Sequence, residues 1–244
     1  MSFSTGVQLF TVYQQMQEDL PGTLKRLAEI GFDGVEFCGG YNHPAEDVKA
    51  MLKEYGLKAI GWHVNLDDFF NDYPGVTAYH RTIGSQFITI PWHKLDTAED
   101  VAGLAAKIKA LAPKLKADGF TLGYHNHSHE FQKADGRYLL DLLQEQCGDL
   151  LSLELDVYWA KVGGEEPADY FTAHKKDISL LHMKDGTGAD NFTALGKGMV
   201  NFPALLDAAK GSGVKWLIFE NDNPKPDGFT NLEQSMDYLK ALLP

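Results

Sequence analysis

Five times along the chain an amphipathic stretch ends on a glycine and runs directly into a short apolar segment: EIGFDGVEF, EYGLKAIGWHV, TIGSQFITIPW, ADGFTLGYHNH and GSGVKWLIFE. A glycine at such a joint supplies the left-handed cap with which a helix turns into a strand, so Gly31, Gly56, Gly84, Gly119 and Gly213 are read as helix ends. Further apolar runs at 6–10, 151–156 and 178–182 bring the strands to eight. Between them AEDVKAMLKEY, AEDVAGLAAKIKALAPKLK, YLLDLLQEQ, FPALLDAAK and NLEQSMDYLKALL carry apolar residues at helical spacing. Strands that alternate with helices call for a parallel sheet. An open doubly wound sheet is one solution, but no GxGxxG opens the first helix, and a closed (β/α)8 barrel is preferred. Barrels of this kind run to roughly 250 residues, so the 244 residues here are expected to form a single α/β TIM-barrel domain, 1–244.

In such a barrel the strand ends converge on one rim, where catalytic residues from distant parts of the chain meet. Glu130, Asp156, His182 and Glu220 each stand at or just beyond the end of an apolar run, in YHNHSHE, LLSLELD, ISLLH and KWLIFE. Three carboxylates and an imidazole suit a hard or borderline divalent cation, and as a group they would repel one another without one. Alternation of side chains turns Ser152, Glu154 and Asp156 inward on one strand, Leu180, His182 and Lys184 on the next, and Ile218 with Glu220 on the last. The same rule brings Gln8, Glu36, His63 and Trp92 to the rim from the first four strands. A mouth of amides, acids, imidazoles, a lysine and an indole suits a polyhydroxylated ligand, with the aromatic face stacking on a sugar ring.

Several of these residues also have plain structural readings. Glu36 has a partner to hand in Lys184, and Glu154 is read as a deeper structural group. The histidines of YHNHSHE are numerous enough to bind metal themselves; His125 and His127 share a face with Gly123, whereas Glu130 reaches the site only by folding back. Glu130 is taken as the ligand, His125 as a substrate contact and His129 as solvent-facing. Trp159 is either a packing residue or a wall of the pocket. The stretch 184–201, rich in glycine, reads as a structureless functional loop at the mouth.

Composition removes other classes. Asp and Glu number 34 against 22 Lys and Arg, and a net charge of −12 repels phosphate backbones and anionic membranes. Neither nucleic acid nor membrane is expected as a partner. With 44% hydrophobic and 23% charged residues the chain can bury a core. No basic leader or membrane-length run is evident, and Cys38 and Cys147 show no CxxC spacing, so a cytoplasmic protein is expected. A homo-oligomer stays open.

In order along the chain, GVQLFTVY, YHNHSHEF, LDVYWAKVGG, LLHMKDG, LGKGMVNF and IFENDNP resemble the sugar phosphate isomerase/epimerase family, built on the xylose-isomerase-like barrel. The resemblance covers nearly the whole chain. It implies a divalent metal, most often Mn2+ with Mg2+, Co2+ or Zn2+ as alternatives, held by Glu130, Asp156, His182 and Glu220. It further implies isomerase or epimerase action on a sugar or sugar phosphate, by proton abstraction next to a carbonyl through an enediolate, with Glu130 and Glu220 as acid and base. Gln8, Glu36, His63, Trp92, His125, Trp159 and Lys184 are then expected to bind a small carbohydrate. One departure bears on the reaction. Ketose epimerases of the family carry a histidine three residues after the metal-binding aspartate, where this chain has Trp159, and the LDVYW form resembles members acting on keto-glycosides. The alternative is therefore a keto-sugar lyase or dehydratase, or a 3-keto-glycoside cleaving enzyme, using the same metal site. Phosphodiester cleavage on the same barrel would require a basic face that the charge does not provide.

Overall fold

A computed structural model of the protein describes residues 3–39 and 42–243. Eight parallel strands close into a barrel: β1 (Ser4–Gln8), β2 (Gly34–Cys38), β3 (Lys58–His63), β4 (Phe87–Ile90), β5 (Thr121–His125), β6 (Ser152–Asp156), β7 (Ile178–Met183) and β8 (Trp216–Phe219). Each strand pairs with its neighbours in sequence, and β8 returns to β1, where Val7 faces Phe219 in register. Helices including Leu20–Ile30, Ala45–Tyr55, Leu66–Ile83, Ala98–Ala117 and Gly228–Leu242 cover the outside. The starts of Leu20–Ile30, Ala98–Ala117 and Gly228–Leu242 are fixed by side-chain caps. Thr97 and Asp100 form a reciprocal capping box, and Asp227 accepts from the Thr230 amide.

The expected glycine joints are present at Gly31, Gly56, Gly84 and Gly119, all with positive φ. At the fifth joint the left-handed residue is Gly211, with φ 73°, and not Gly213, because the helix Phe202–Ala209 ends two residues before Gly211. The stretch 184–201 also departs from expectation. It carries a small antiparallel pair, Asp185–Gly186 with Phe192–Thr193. The buried Asp185 carboxylate accepts amide protons from Gly186, Gly196, Gly198 and Val200 at 2.9 to 3.2 Å. One carboxylate thus satisfies four backbone donors and organises the loop from within.

The main core lies between the sheet and the helices, and includes Leu24, Val35, Ile88, Leu104, Ile108, Leu155 and Leu205, all fully buried. A second, small apolar cluster fills the base of the barrel lumen: Ile60, Leu180 and Ile218, with Phe87 and Trp216 against them. Gly6 on β1 makes room for it, since a Cβ there would come 2.2 Å from Ile60 Cδ1. This plug closes the bottom of the barrel, leaving polar residues to gather above it at the carboxyl ends of the strands.

Candidate metal centre and active site

Directly above the plug the inward positions turn from apolar to ionisable. Leu180 is followed two residues later by His182, and Ile218 by Glu220; Glu154 and Asp156 occupy the corresponding places on β6. Asp156 and His182 are register partners across β6 and β7, which sets their side chains next to each other. The result is two groups of potential ligand atoms that share one imidazole. Glu36, His63, Glu154 and His182 form the deeper group, and His125, Asp156, His182 and Glu220 the upper one; within each, the donor atoms lie within 4.8 Å of one another.

His182 links the two through its two ring nitrogens. Nε2 stands 2.7 Å from Glu36 Oε2 and 2.8 Å from Glu154 Oε1, whereas Nδ1 stands 3.1 Å from Glu220 Oε2. The deeper carboxylates are themselves held. Gln8 donates its side-chain amide to Glu36 at 3.0 Å, Thr89 donates to Glu154 at 2.9 Å, and His63 Nε2 lies 2.7 Å from Glu154. Gly61 leaves the space Glu36 needs, for a Cβ there would meet Glu36 Oε1 at 2.7 Å. Such an arrangement, carboxylate to one imidazole nitrogen with the other presented to a site, is how metal-binding histidines are commonly oriented.

In the upper group, Asp156 also caps the helix Val157–Val162, accepting the Trp159 amide on Oδ1 at 2.8 Å. This fixes the carboxylate and leaves Oδ2 facing the lumen. Among the described residues Oδ2 accepts no well-formed hydrogen bond, although Lys184 Nζ stands 3.1 Å away, and neither ring nitrogen of His125 has a hydrogen-bond partner. His125 Nε2 lies 3.4 Å from Asp156 and 3.7 Å from Glu220. Lys184 Nζ is 2.8 Å from Glu220 and 2.9 Å from Asp222. Buried polar atoms without partners are costly, and here they converge. Two imidazoles and two carboxylates are a donor set suited to a borderline divalent ion.

The electrostatics follow from this crowding. Burial penalises every charge, but at His182 the carboxylates of Glu154 and Glu220 outweigh it and hold the imidazole well above its ordinary value. Glu36 and Glu154 likewise overcome burial at His63 and push it up to about 10. Lys184 is raised by Asp156, Glu220 and Asp222 against the same penalty. Glu220 is correspondingly held well below the usual carboxylate range, its burial outweighed by Lys184 and His182. His127 goes the other way: burial, then His125 and Lys184, depress it to about 3.

The expected ligand Glu130 is not brought to either group. It is fully buried, and its carboxylate accepts from the Tyr124 hydroxyl at 2.7 Å and from the His127 amide at 2.8 Å. Tyr124 is out of phase with Gly123 and His125 on β5 and so points away from the lumen; Glu130, in the turn His129–Phe131, follows it outward. His125 joins Asp156, His182 and Glu220 instead. Lys184 pairs with these acids and Asp222, and Glu36 with His182, His63 and Gln8, so the Glu36–Lys184 pairing is replaced. Gln8 is fully buried beneath the mouth. Trp92 is 56% exposed and its ring meets His129 at 5.9 Å, on the outer edge. Trp159 lies against His127 (5.7 Å between ring centres) with Lys184 Nζ 5.5 Å from its ring centre, on the site side of its helix.

A cavity of about 470 Å³ opens beside the upper group. Glu220 and His63 line its inner end; Phe10, Tyr13, Trp62 and Pro91 form its walls, with Asn65 and Asp68 at the edge. Sequence reasoning missed Phe10, Tyr13, Asn65, Asp68 and Asp222. Asp222 alone had a signal, standing two residues beyond Glu220 in FEND. Among the described residues no helix is long and apolar enough to cross a membrane.

Known proteins share this architecture. A sugar phosphate isomerase/epimerase from Parabacteroides distasonis superposes with a TM-score of 0.87 over 98% of both chains at 22% identity. A D-allulose 3-epimerase from Methylomonas sp. gives 0.75 over 100% of both chains at 16%. The probable 3-DHS dehydratase of petrobactin synthesis from Bacillus anthracis gives 0.78 over 97% of this chain and 98% of its own, at 14%. No curated protein matches the sequence. Residues 24–242, nearly the whole length of the barrel described above, match the Xylose isomerase-like TIM barrel model, and the chain belongs to that family.

Proposed function

We propose that the protein is a metal-dependent enzyme that removes a proton next to the carbonyl of a sugar or sugar derivative, as an isomerase or epimerase. The observation that carries this reading is the upper group of four buried donors, unsatisfied at His125 and Asp156, beside a lysine and open to a cavity at Glu220. His125, Asp156, His182 and Glu220 would hold a divalent ion, for which Mn2+ is the first expectation and Zn2+ or Co2+ fit the two imidazoles equally well. When bound, such an ion supplies positive charge where negative charge develops on a substrate oxygen.

The chain's own residues account for the rest. Glu220 alone of the four lines the cavity, and Lys184 keeps it ionised, so Glu220 takes the proton from carbon. Lys184 supplies hydrogen bonds to the same oxygen on which charge develops. Glu130, sealed against Tyr124 and the His127 amide, acts as a positioning residue for the loop that carries His125 and His127.

A lyase reading has support of its own in Trp159, which lies beside Lys184 where ketose epimerases carry histidine, and in the apolar wall opposite Glu220. The two readings separate in heavy water. Incubation with a panel of ketoses and 3-keto-glycosides should place deuterium on a carbon next to the carbonyl of a recovered isomer. An unsaturated keto-sugar or a released alcohol, without labelled isomer, would move the assignment to the lyase. Full activity of protein freed of metal and kept in chelator would remove the metal from either.

A further inference from the structure

We propose that the mouth contains a second compartment, an aromatic-walled subsite for a planar apolar group joined to the carbohydrate, as in an aryl glycoside. The inference rests on the carbohydrate reading above and names a substrate class for it.

Two independent features of the structure lead there. First, the exposed large apolar side chains of the described residues are Phe10, Tyr13, Phe70, Trp92 and Met199. All lie in segments that follow the carboxyl ends of β1, β3, β4 and β7, on the face that carries the ionisable groups, and none on the opposite face. Single exposed hydrophobes need no explanation, but a gathering of them at one rim marks a surface that binds something.

Second, Phe10 and Tyr13 wall a cavity whose other end is Glu220 and His63. Their rings stand 5.8 Å apart and tilted by 47°, 46% and 42% exposed, so a pair of aromatic faces is already open to the cavity. The Trp62 wall is rigid by comparison. Its indole N–H donates to Gly39 O at 3.0 Å, and its ring stacks on Phe37 at 4.6 Å. At about 470 Å³ the cavity falls within the range of roughly 300–1,000 Å³ usual for small-molecule pockets. The occupant must satisfy both ends at once. A single sugar ring seated at Glu220 leaves the aromatic end wet, and a second protein chain has no reason to reach Glu220. A carbohydrate bearing an aromatic or similarly flat apolar group matches the polar inner end and the apolar outer end.

The test uses the full-length protein with its metal and two probes that differ only in the aglycone, methyl β-glucoside and phenyl β-glucoside, with binding measured by calorimetry. The phenyl compound should bind about tenfold more tightly or better, a difference of 1.4 kcal/mol. In the Phe10→Ala/Tyr13→Ala variant most of that preference should vanish while methyl glucoside affinity stays within about twofold, with the variant's melting transition confirming that it folds. Equal affinities in the parent protein, no measurable binding of either probe at millimolar concentration, or a preference that survives the double substitution would overturn the proposal. So would a dimer lost in the double variant with the preference intact, since the rings would then serve an interface. The outcome is independent of turnover. Phenyl preference without any solvent exchange sinks the isomerase reading alone, and exchange on ketoses without phenyl preference sinks the subsite alone.

Discussion

The two halves of the barrel mouth are built from different chemistry. The side formed by β5 to β8 presents His125, Asp156, His182, Lys184 and Glu220, nearly all buried and in mutual contact. The side formed by β1, β3 and β4 presents Phe10, Tyr13, Trp62 and Pro91, with Asn65 and Asp68 at its edge and His63 at the seam. The first half is pre-organised at an energetic cost, for its charges are desolvated and held mainly by opposite charges, with the Trp159 amide on Asp156. The second leaves the rings of Phe10 and Tyr13 in water, a smaller cost that a ligand would relieve. What the contrast teaches, on the proposed function, is a division of labour: one half would act on a substrate and the other would decide which substrate is held.

Breaking the charged half at its base should give the largest effect. Glu220→Gln keeps the shape but removes the proton acceptor, and turnover should fall by about two to four orders of magnitude with the fold intact. Steady-state kinetics and circular dichroism check both parts; near-normal turnover would return Glu220 to a structural role.

The next effect sharpens which residues belong to that half. His125→Ala should lower metal affinity by more than about 100-fold, beyond the 10- to 100-fold typical of residues that only orient a ligand. Glu130→Gln should leave metal stoichiometry unchanged, because its carboxylate faces Tyr124 and a backbone amide. Elemental analysis after dialysis against a metal buffer reads both, and the opposite ranking would restore Glu130 as the ligand. Glu154→Gln should fall between, weakening metal binding about 10- to 100-fold by releasing His182 Nε2.

These expectations show where the sequence was legible. Periodicity revealed the barrel because a repeated αβ unit leaves a repeated pattern, five times as a glycine joint and three times as an apolar run, and alternation along β6, β7 and β8 correctly turned Asp156, His182 and Glu220 inward. Alternation ends where the strand ends. Glu130 lies five residues past His125, in a turn where the period of two carries no information, and the deciding contact is with Tyr124 on the outward face. The order within 184–201 was equally hidden, since four backbone amides collected by Asp185 leave no periodic trace. The aromatic half escaped notice for a related reason: FTVY follows β1 as a loop would, and only the closed barrel brings it opposite Glu220.

The smallest effect should come from behind the aromatic half, and it separates the two halves by pH. Trp62 meets His80 edge-on at 5.6 Å, and His80 is fully buried on the helix Leu66–Ile83. Burial lowers its imidazole from 6.5 to about 4, so the folded protein keeps it neutral where the unfolded chain would bind a proton. The unfolded state therefore gains protons first as pH falls. The stabilisation is complete above about pH 6.5 and is lost progressively toward pH 4. Between about pH 6.5 and pH 5 the loss should amount to about 1.5 kcal/mol, or a few degrees in Tm for a chain of this size. In His80→Gln that part of the pH dependence should be absent. Denaturant melts of both proteins at the two pH values measure it, with indole fluorescence reporting on the Trp62 wall. If the slopes of parent and variant coincide, acid does not reach the aromatic half through His80, and any acid sensitivity belongs to the charged half instead.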